Sequence, residues 1–191
     1  MRRLRFATAA DAPALLAIYN ESIPTNVTFE YELPSVEEFA RRIVTMSAVY
    51  PYLVAEENGV PVGYAYAHQI GERAAYRYGA ELSIYLSASA CGKGLGKKLY
   101  AILMDLLRLQ GIRTVYGLVA SPNPASEALH RGFGFHLMGK QRNAGYKNGG
   151  WIDLLWFEKA IVPYDQTPAP LLPIGALPRE AVDKILASFS F

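Results

Sequence analysis

A glycine- and lysine-rich turn at residues 91–97, which reads CGKGLGK, is the part of this chain with the clearest potential for chemistry. The turn opens a predicted helix, and the first backbone N–H groups of a helix lack internal partners and carry a partial positive charge. Glycines let an anionic ligand approach those groups closely. Because Lys93, Lys97 and Lys98 add charge of the same sign, the turn is predicted to bind phosphate groups.

Apolar periodicity indicates the elements on either side of the turn. Residues 82–86 alternate between the two faces of a predicted strand, with Leu82, Ile84 and Leu86 on one face. After the turn, apolar residues recur at helical spacing, namely Leu95, Leu99, Ile102, Leu103 and Leu106. Gly111 then supplies the residue type that commonly ends a helix. The turn is therefore predicted to join a strand to a helix.

Spacing distinguishes three kinds of glycine loop. A dinucleotide-binding loop would need a third glycine at the position of Lys97. A nucleoside triphosphate loop would need glycine at Cys91 and a hydroxyl group at Lys98. The turn resembles instead the pyrophosphate loop of the GNAT N-acetyltransferases, which reads Gln or Arg, two residues of any type, Gly, any residue, then Gly or Ala. Cys91 stands where that family usually has Gln or Arg.

A second motif that resembles the same family lies in residues 123–135. It contains Asn123, Ser126, His130 and the pair Gly134-Phe135 at the spacing of the family's late motif. The resemblance implies that Asn123 and Ser126 hold the pantetheine and adenosine arms of the coenzyme. It also implies an α/β GNAT fold with a mixed central sheet flanked by helices, acetyl-CoA as co-substrate and no metal.

The chain is predicted to form a single GNAT domain over residues 1–160, followed by a proline-rich arm over residues 161–191. The arm contains a short predicted helix whose apolar side chains need cover from its own domain or from a partner. Within the domain, Asn58-Gly59 predicts a hairpin between strands at 52–57 and 60–69. A last strand at 151–158 is predicted to pair with one at 136–141.

Composition narrows the classes of partner. The 191 residues are 51% hydrophobic with a net charge of +2, which suits one globular domain and gives no overall electrostatic attraction for nucleic acid or an anionic membrane. One cysteine excludes an intramolecular disulfide. Asp11 and Asn20 interrupt the apolar run that a signal peptide would need after the basic start. The sequence also contains no segment of membrane-spanning length, so a cytoplasmic protein is predicted.

Further segments resemble one branch of the family, the phosphinothricin and methionine sulfone acetyltransferases. They are Thr28-Phe29, Ala75-Tyr76, the alternating pattern of residues 81–87, and residues 143–153. The resemblance implies that the substrate is a small-molecule amine of the amino-acid type. Because Cys91 is predicted to face the pyrophosphate and not the acetyl carbonyl, direct transfer of the acetyl group within a ternary complex is the predicted mechanism. The resemblance also implies a homodimer. Acetylation of another small or peptide amine, or acyl-CoA binding by a sensor without turnover, stay open as alternatives.

Glu81 and His130 are the predicted catalytic residues. Amide formation needs a free amine, so a carboxylate at Glu81 would accept the amine's proton directly or through water. The alternative is a structural ion pair between Glu81 and Arg73 or Arg77. The resemblance places His130 at the coenzyme sulfur, where it would act as an acid or a hydrogen-bond donor; the alternative is a packed or solvated helical histidine.

The remaining site residues divide into coenzyme and substrate contacts. If the family's bulge interrupts the central strand, backbone groups there pair with pantetheine and polarise the acetyl carbonyl. The implied coenzyme-binding residues are Ile84, Tyr85, Leu86, Gly92, Lys93, Gly94, Leu95, Gly96, Lys97, Asn123 and Ser126. The predicted substrate-binding residues are Phe29, Arg73, Tyr76 and Tyr78. Cys91 as a nucleophile is the less favoured reading, because its position faces the pyrophosphate.

Overall fold

The structure is a computed structural model that describes residues 2–164 and 167–189. The helices are α1 (Ala12–Asn20), α2 (Val36–Ser47), α3 (Leu95–Gln110), α4 (Pro124–Gly132) and α5 (Arg179–Ala187). The strands are β1 (Arg2–Phe6), β2 (Tyr52–Glu57), β3 (Val60–Gln69), β4 (Gly79–Leu86), β5 (Thr114–Ser121), β6 (His136–Lys147) and β7 (Gly150–Ala160). No helix within these described residues is long and apolar enough to cross a membrane.

The strands of the described residues form one mixed sheet in the order β1-β2-β3-β4-β5-β7-β6. Only the central pair, β4 and β5, is parallel, and it is short: Gly79 lies opposite Thr114, and Glu81 opposite Tyr116. Beyond Glu81, β4 stays paired with β3 as far as Leu86, while β5 stays paired with β7. The sheet therefore consists of two antiparallel halves joined at its centre by three residue pairs.

Helices cover both faces of the sheet, as the family resemblance implies. Leu82, Ile84 and Leu86 face the larger core cluster, to which α3 contributes most of its buried side chains and which α4 and α5 also join. Tyr85 faces the smaller cluster formed by α1, α2 and the aromatic residues of β2 and β3. The α/β fold with a mixed sheet between helices is thus confirmed.

The predicted hairpin at Asn58-Gly59 is confirmed, with φ angles of 54° and 81° that these two residue types tolerate. Strand β6 is longer than predicted, because its pairing with β7 continues through register shifts to the turn after Lys147. The irregular segment at 71–79 contains a 3₁₀ turn, Ala74–Tyr78.

The C-terminal arm packs on its own domain. Val182 is buried, and Ile185, Leu186 and Phe189 contact the larger core cluster. The Gln110 side-chain amide at the end of α3 donates to the carbonyl oxygens of Val49, at 2.6 Å, and Leu172, at 2.8 Å. The apolar stripe of α5 therefore has cover within the same chain, and it supplies no argument for a dimer.

Candidate active site

A cavity of about 70 Å³ lies where β4 and β5 part. Its lining includes the predicted coenzyme residues Ile84 and Tyr85 from β4 and Asn123 and Ser126 from the start of α4, together with His130. The expected bulge is not seen as a shift in the β3–β4 register, which is continuous. The opening arises instead from β5, which leaves β4 after Glu81 to remain with β7.

The glycine turn leads from the open end of β4 into α3. Gly92 and Gly94 have φ angles of 73° and 79°, a left-handed conformation that disfavours other residue types, and a Cβ atom at either position would meet nothing within 4 Å. Gly96 lies against β4, where its Cβ would be 3.5 Å from Ile84 Cδ1. The first two glycines therefore present exposed backbone, whereas Gly96 allows α3 to pack closely on β4.

The other residues of the turn differ in exposure. Lys93 and Lys97 are exposed at the start of α3, as a phosphate-binding role requires. The Leu95 side chain is buried in the core, so only its backbone faces the turn. Leu86, at the end of β4, is packed against the core cluster rather than lining the cavity. Cys91 is exposed and lies directly after a 3₁₀ turn.

His130 is buried, and both of its ring nitrogens have partners in the protein. Nδ1 lies 2.7 Å from the Ser126 carbonyl oxygen, which can only accept, so Nδ1 carries the hydrogen. Nε2 lies 3.2 Å from the hydroxyl of Tyr100 on α3. Burial lowers the pKa of His130, so near neutrality the ring is uncharged and Nε2 accepts the Tyr100 hydrogen. In this arrangement His130 has no N–H left for the cavity, and the single O–H hydrogen of Tyr100 is directed at His130 Nε2.

The position of the His130 ring is fixed by its neighbours. The ring stacks on Phe157 of β7 at 5.2 Å and meets the edge of Phe135 at 5.0 Å. Below it lies Gly117 of β5, where a Cβ atom would come within 2.0 Å of Nε2. Gly117 thus provides the space for the imidazole, and the catalytic role predicted for His130 stays a prediction. Sequence reasoning missed the roles of Tyr100 and Gly117.

Glu81 belongs to the other face of the sheet. It alternates with Leu82, which faces α3, and it precedes the residues of β4 that line the cavity. Its ion-pair partner is His68 of β3, with Nε2 and Oε2 3.6 Å apart, rather than Arg73 or Arg77. Arg77 Nε donates to the Ala74 carbonyl oxygen, 3.0 Å away. The base role of Glu81 stays a prediction. The alternative, an ion pair between Glu81 and Arg73 or Arg77, is not formed in the structure.

The segment between α1 and α2 is held over the sheet by the β6–β7 hairpin. Lys147 is buried, and its Nζ donates to the carbonyl oxygens of Thr25, at 2.7 Å, and Thr28, at 2.8 Å. Gly145 lies under the Phe29 ring, 3.0 Å from the place of a Cβ atom. Val27, in the same segment, lines the β4–β5 cavity. The hairpin therefore sets the position of Phe29, a role of Lys147 that sequence reasoning missed.

The predicted substrate residues are not brought together. Tyr76 and Tyr78 line a larger cavity of about 240 Å³ at the start of β4 and β5, which Tyr116 and Tyr164 also line. Arg73 is exposed at the start of the 3₁₀ turn, and Phe29 contacts the hairpin instead. Among the described residues there is no group of three or more His, Cys, Asp or Glu side chains able to hold a metal ion.

The contact between Gly117 and His130 can be tested with Gly117→Ala. The added methyl group would overlap Nε2, so the ring must move and its hydrogen bond with Tyr100 must break, and we expect the free energy of unfolding to fall by about 1–3 kcal/mol. Urea unfolding measures this. Gly139→Ala on β6 is the matched control, because nothing lies within 4 Å of its Cβ position. Equal stability of the two variants would contradict this account of the ring.

Comparison with known proteins agrees with this geometry. The model of the acetyltransferase (GNAT) domain matches residues 4–156. The chain is 36% identical to a phosphinothricin N-acetyltransferase of Streptomyces viridochromogenes over 90% of its own length and 92% of the relative's. It is 32% identical to an L-methionine sulfoximine/L-methionine sulfone acetyltransferase of Salmonella typhimurium, covering 87% and 97% of the two chains.

A solved structure has the same fold and contains the coenzyme. It is a GNAT superfamily phosphinothricin acetyltransferase from Sinorhizobium meliloti in complex with acetyl-CoA, with a TM-score of 0.82 and 36% identity over 91% of this chain and 98% of that one. The family match and these relatives each extend over most of the chain. This chain therefore belongs to the GNAT family of acetyltransferases.

Proposed function

We propose that this protein transfers the acetyl group of acetyl-CoA to the amine of a small amino-acid-like substrate, of the phosphinothricin, methionine sulfone or methionine sulfoximine type. The observation that carries the proposal is the opening between β4 and β5, which ends at a glycine turn with exposed backbone. The named activities of the relatives support the substrate class. The structure of a relative with acetyl-CoA supports the co-substrate.

The residues around the opening fit such a coenzyme. The exposed backbone of Gly92 and Gly94, with Lys93 and Lys97 beside it, suits a pyrophosphate. The edge of β4 from Ile84 to Leu86 lies outside the parallel pairing and suits the amides of a pantetheine arm. The Oδ1 atom of Asn123 caps α4 by accepting from the Ser126 N–H at 3.1 Å, which fixes that helix start beside the cavity. Bound acetyl-CoA supplies an activated thioester.

The chain's own groups would divide the proton chemistry between them. Glu81 accepts the proton that the substrate ammonium must lose before it can attack. The hydroxyl of Tyr100 lines the cavity, and its single hydrogen, which His130 Nε2 accepts at 3.2 Å, would turn from His130 to the departing thiolate to donate a hydrogen bond there. With no nucleophile of the protein required, transfer is direct within a ternary complex, and Cys91 has no covalent role.

The base is tested with Glu81→Gln, which keeps size and polarity but removes basicity. We expect kcat to fall by roughly 10²- to 10⁴-fold, the usual contribution of a general base, while the affinity for acetyl-CoA is unchanged. Thiol release from acetyl-CoA with phosphinothricin and methionine sulfone as amines gives kcat, and calorimetry gives the affinity. Glu180→Gln, on the exposed side of α5, is the control. If the kcat of Glu81→Gln stayed within a few-fold of the wild-type value, Glu81 would have only a structural role.

The alternatives give different results in the same assay. A non-catalytic sensor would bind acetyl-CoA at micromolar concentration but release no thiol with any amine. An acetyltransferase for another small or peptide amine would release thiol only with other members of a broad amine panel. A nucleoside triphosphatase would hydrolyse ATP with magnesium and would not bind acetyl-CoA.

Lys147 should affect the amine rather than the coenzyme. In Lys147→Met the carbonyl groups of Thr25 and Thr28 lose their donor, so Phe29 is no longer held in place, and we expect KM for the amine to rise about tenfold with KM for acetyl-CoA unchanged. Steady-state kinetics with each substrate varied separates the two constants. The control is Lys140→Met, which removes a partly exposed pair with Asp153 on the same strand. Equal rises in both constants would argue against this role.

We also propose that the protein acts as a cytoplasmic homodimer, without nucleic acid or membrane as a partner. In each subunit the domain at 1–160 contains the site, and the arm at 161–191 stabilises its own subunit. Support for the dimer comes from the branch resemblance and from exposed apolar residues along the edge strand β6 and at the start of β7, namely Leu137, Met138, Tyr146 and Trp151. Light scattering at micromolar concentration should give twice the mass of one chain. A monomer mass there would exclude the dimer.

A further inference from the structure

His68 occupies a position directly opposite the proposed base. The β3–β4 register pairs His68 with Glu81, and the two side chains approach to 3.6 Å between Nε2 and Oε2. The other ring nitrogen, Nδ1, lies 3.1 Å from the carbonyl oxygen of Gln69. Both nitrogens of His68 therefore face oxygen atoms.

These contacts determine which nitrogen exchanges a proton. The Gln69 carbonyl can only accept a hydrogen bond, so Nδ1 carries its hydrogen in either charge state. Nε2 is then the nitrogen that gains or loses a proton, and it is the one that faces the Glu81 carboxylate. The titrating site of His68 thus lies next to the atoms that would receive the proton of the amine.

Glu81 is the charged side chain that shifts the pKa of His68. From its own strand, the Tyr66 ring lies 6.1 Å away. On α2, Arg42 is paired with Glu30 at 2.6 Å, and it acts on Tyr66. Burial opposes a charge on His68, but the Glu81 carboxylate outweighs burial, so the pKa of His68 lies above its usual value. The His68 side chain is 35% exposed and that of Glu81 20% exposed, so the histidine is the more open to water.

We propose that His68 is a positioning residue for Glu81 and relays to solvent the proton that Glu81 takes from the amine. The inference rests on the proposed function. In the first step a proton moves from the substrate ammonium to a carboxylate oxygen of Glu81. The electron pair of the broken N–H bond stays on the nitrogen and becomes the lone pair that attacks the thioester. In the second step the carboxylic acid passes that proton to neutral His68 Nε2, which restores the carboxylate. The imidazolium then releases the proton to water.

The relay has a definite pH dependence. Below its pKa, His68 holds a proton on Nε2 and cannot accept another. Above its pKa, the Nε2 lone pair faces Glu81 and accepts. The rate of acetyl transfer should therefore rise with pH as His68 loses its proton. Because the pKa of His68 is raised, this rise should occur at a higher pH than it would for an unpaired histidine.

The coupling between the two residues is measured first, without any reaction. The imidazole signals of the histidines, at positions 68, 130 and 136, are followed by NMR against pH in the wild type and in Glu81→Gln, and the His68 signal is identified by its loss in His68→Gln. In Glu81→Gln the counter-charge is absent while burial remains, so the pKa of His68 should fall. The exposed His136 should be unaffected and serves as the internal control. An unchanged His68 titration would overturn the proposal.

Kinetics then tests the relay itself. In His68→Gln we expect kcat at high pH to fall about tenfold, a part of the general-base contribution, and the rise with pH to move to lower pH, with KM for acetyl-CoA unchanged. His136→Gln should keep the wild-type profile. A His68→Gln enzyme with the wild-type profile would overturn the relay while acetyl transfer stands. If the wild type releases no thiol with any amine although the NMR coupling is present, the proposed function fails, and the relay fails with it.

Discussion

The three-pair parallel contact between β4 and β5 is the constraint on which the rest of the molecule depends. Each strand is fully paired on its outer side, β4 with β3 and β5 with β7, so the two inner edges part beyond Glu81 without unravelling the sheet. Backbone groups along a parted edge need partners, and a ligand that lies between the strands supplies them. The helices that follow β4 and β5 both start at this open end, so α3 and α4 direct their positive ends to the same place.

The packing of α3 against the sheet makes one side of this opening rigid. Leu99, Leu103 and Leu107 are fully buried along one face of α3, and each contributes about 2 kcal/mol by its burial. Tyr100 lies in the same buried layer, but its hydroxyl faces His130. A buried imidazole is tolerated there because Ser126 and Tyr100 satisfy both nitrogens and because Gly117 leaves the space. Hydrogen bonds therefore hold the polar side chains on this side of the opening in place, just as packing holds the apolar ones.

The features predicted correctly from the sequence depend on residues that are close together in the chain. The features that were missed depend on contacts between residues that are far apart in the chain. The Asn58-Gly59 hairpin and the glycine turn are determined locally by residues that accept positive φ angles. The structural alternative for Glu81 is an ion pair with arginines close to it in sequence, but the β3–β4 register brings His68 opposite instead. Lys147 binds carbonyl groups 119 and 122 residues earlier, and no periodicity within one segment indicates such a contact.

Two histidines, His68 and His130, have pKa values shifted in opposite directions, and their surroundings explain why. His68 faces a carboxylate, which favours its charged form, whereas His130 is enclosed by aromatic rings and holds only a carbonyl and a hydroxyl group, so burial dominates. Opposite shifts of this kind separate proton-accepting from charge-stabilising groups in one site. The proton of the amine would leave on the face of Glu81 and His68, while the negative charge of the thiolate would form on the face of Tyr100 and the helix starts. The two charges would therefore form on opposite sides of β4, next to the opening between β4 and β5.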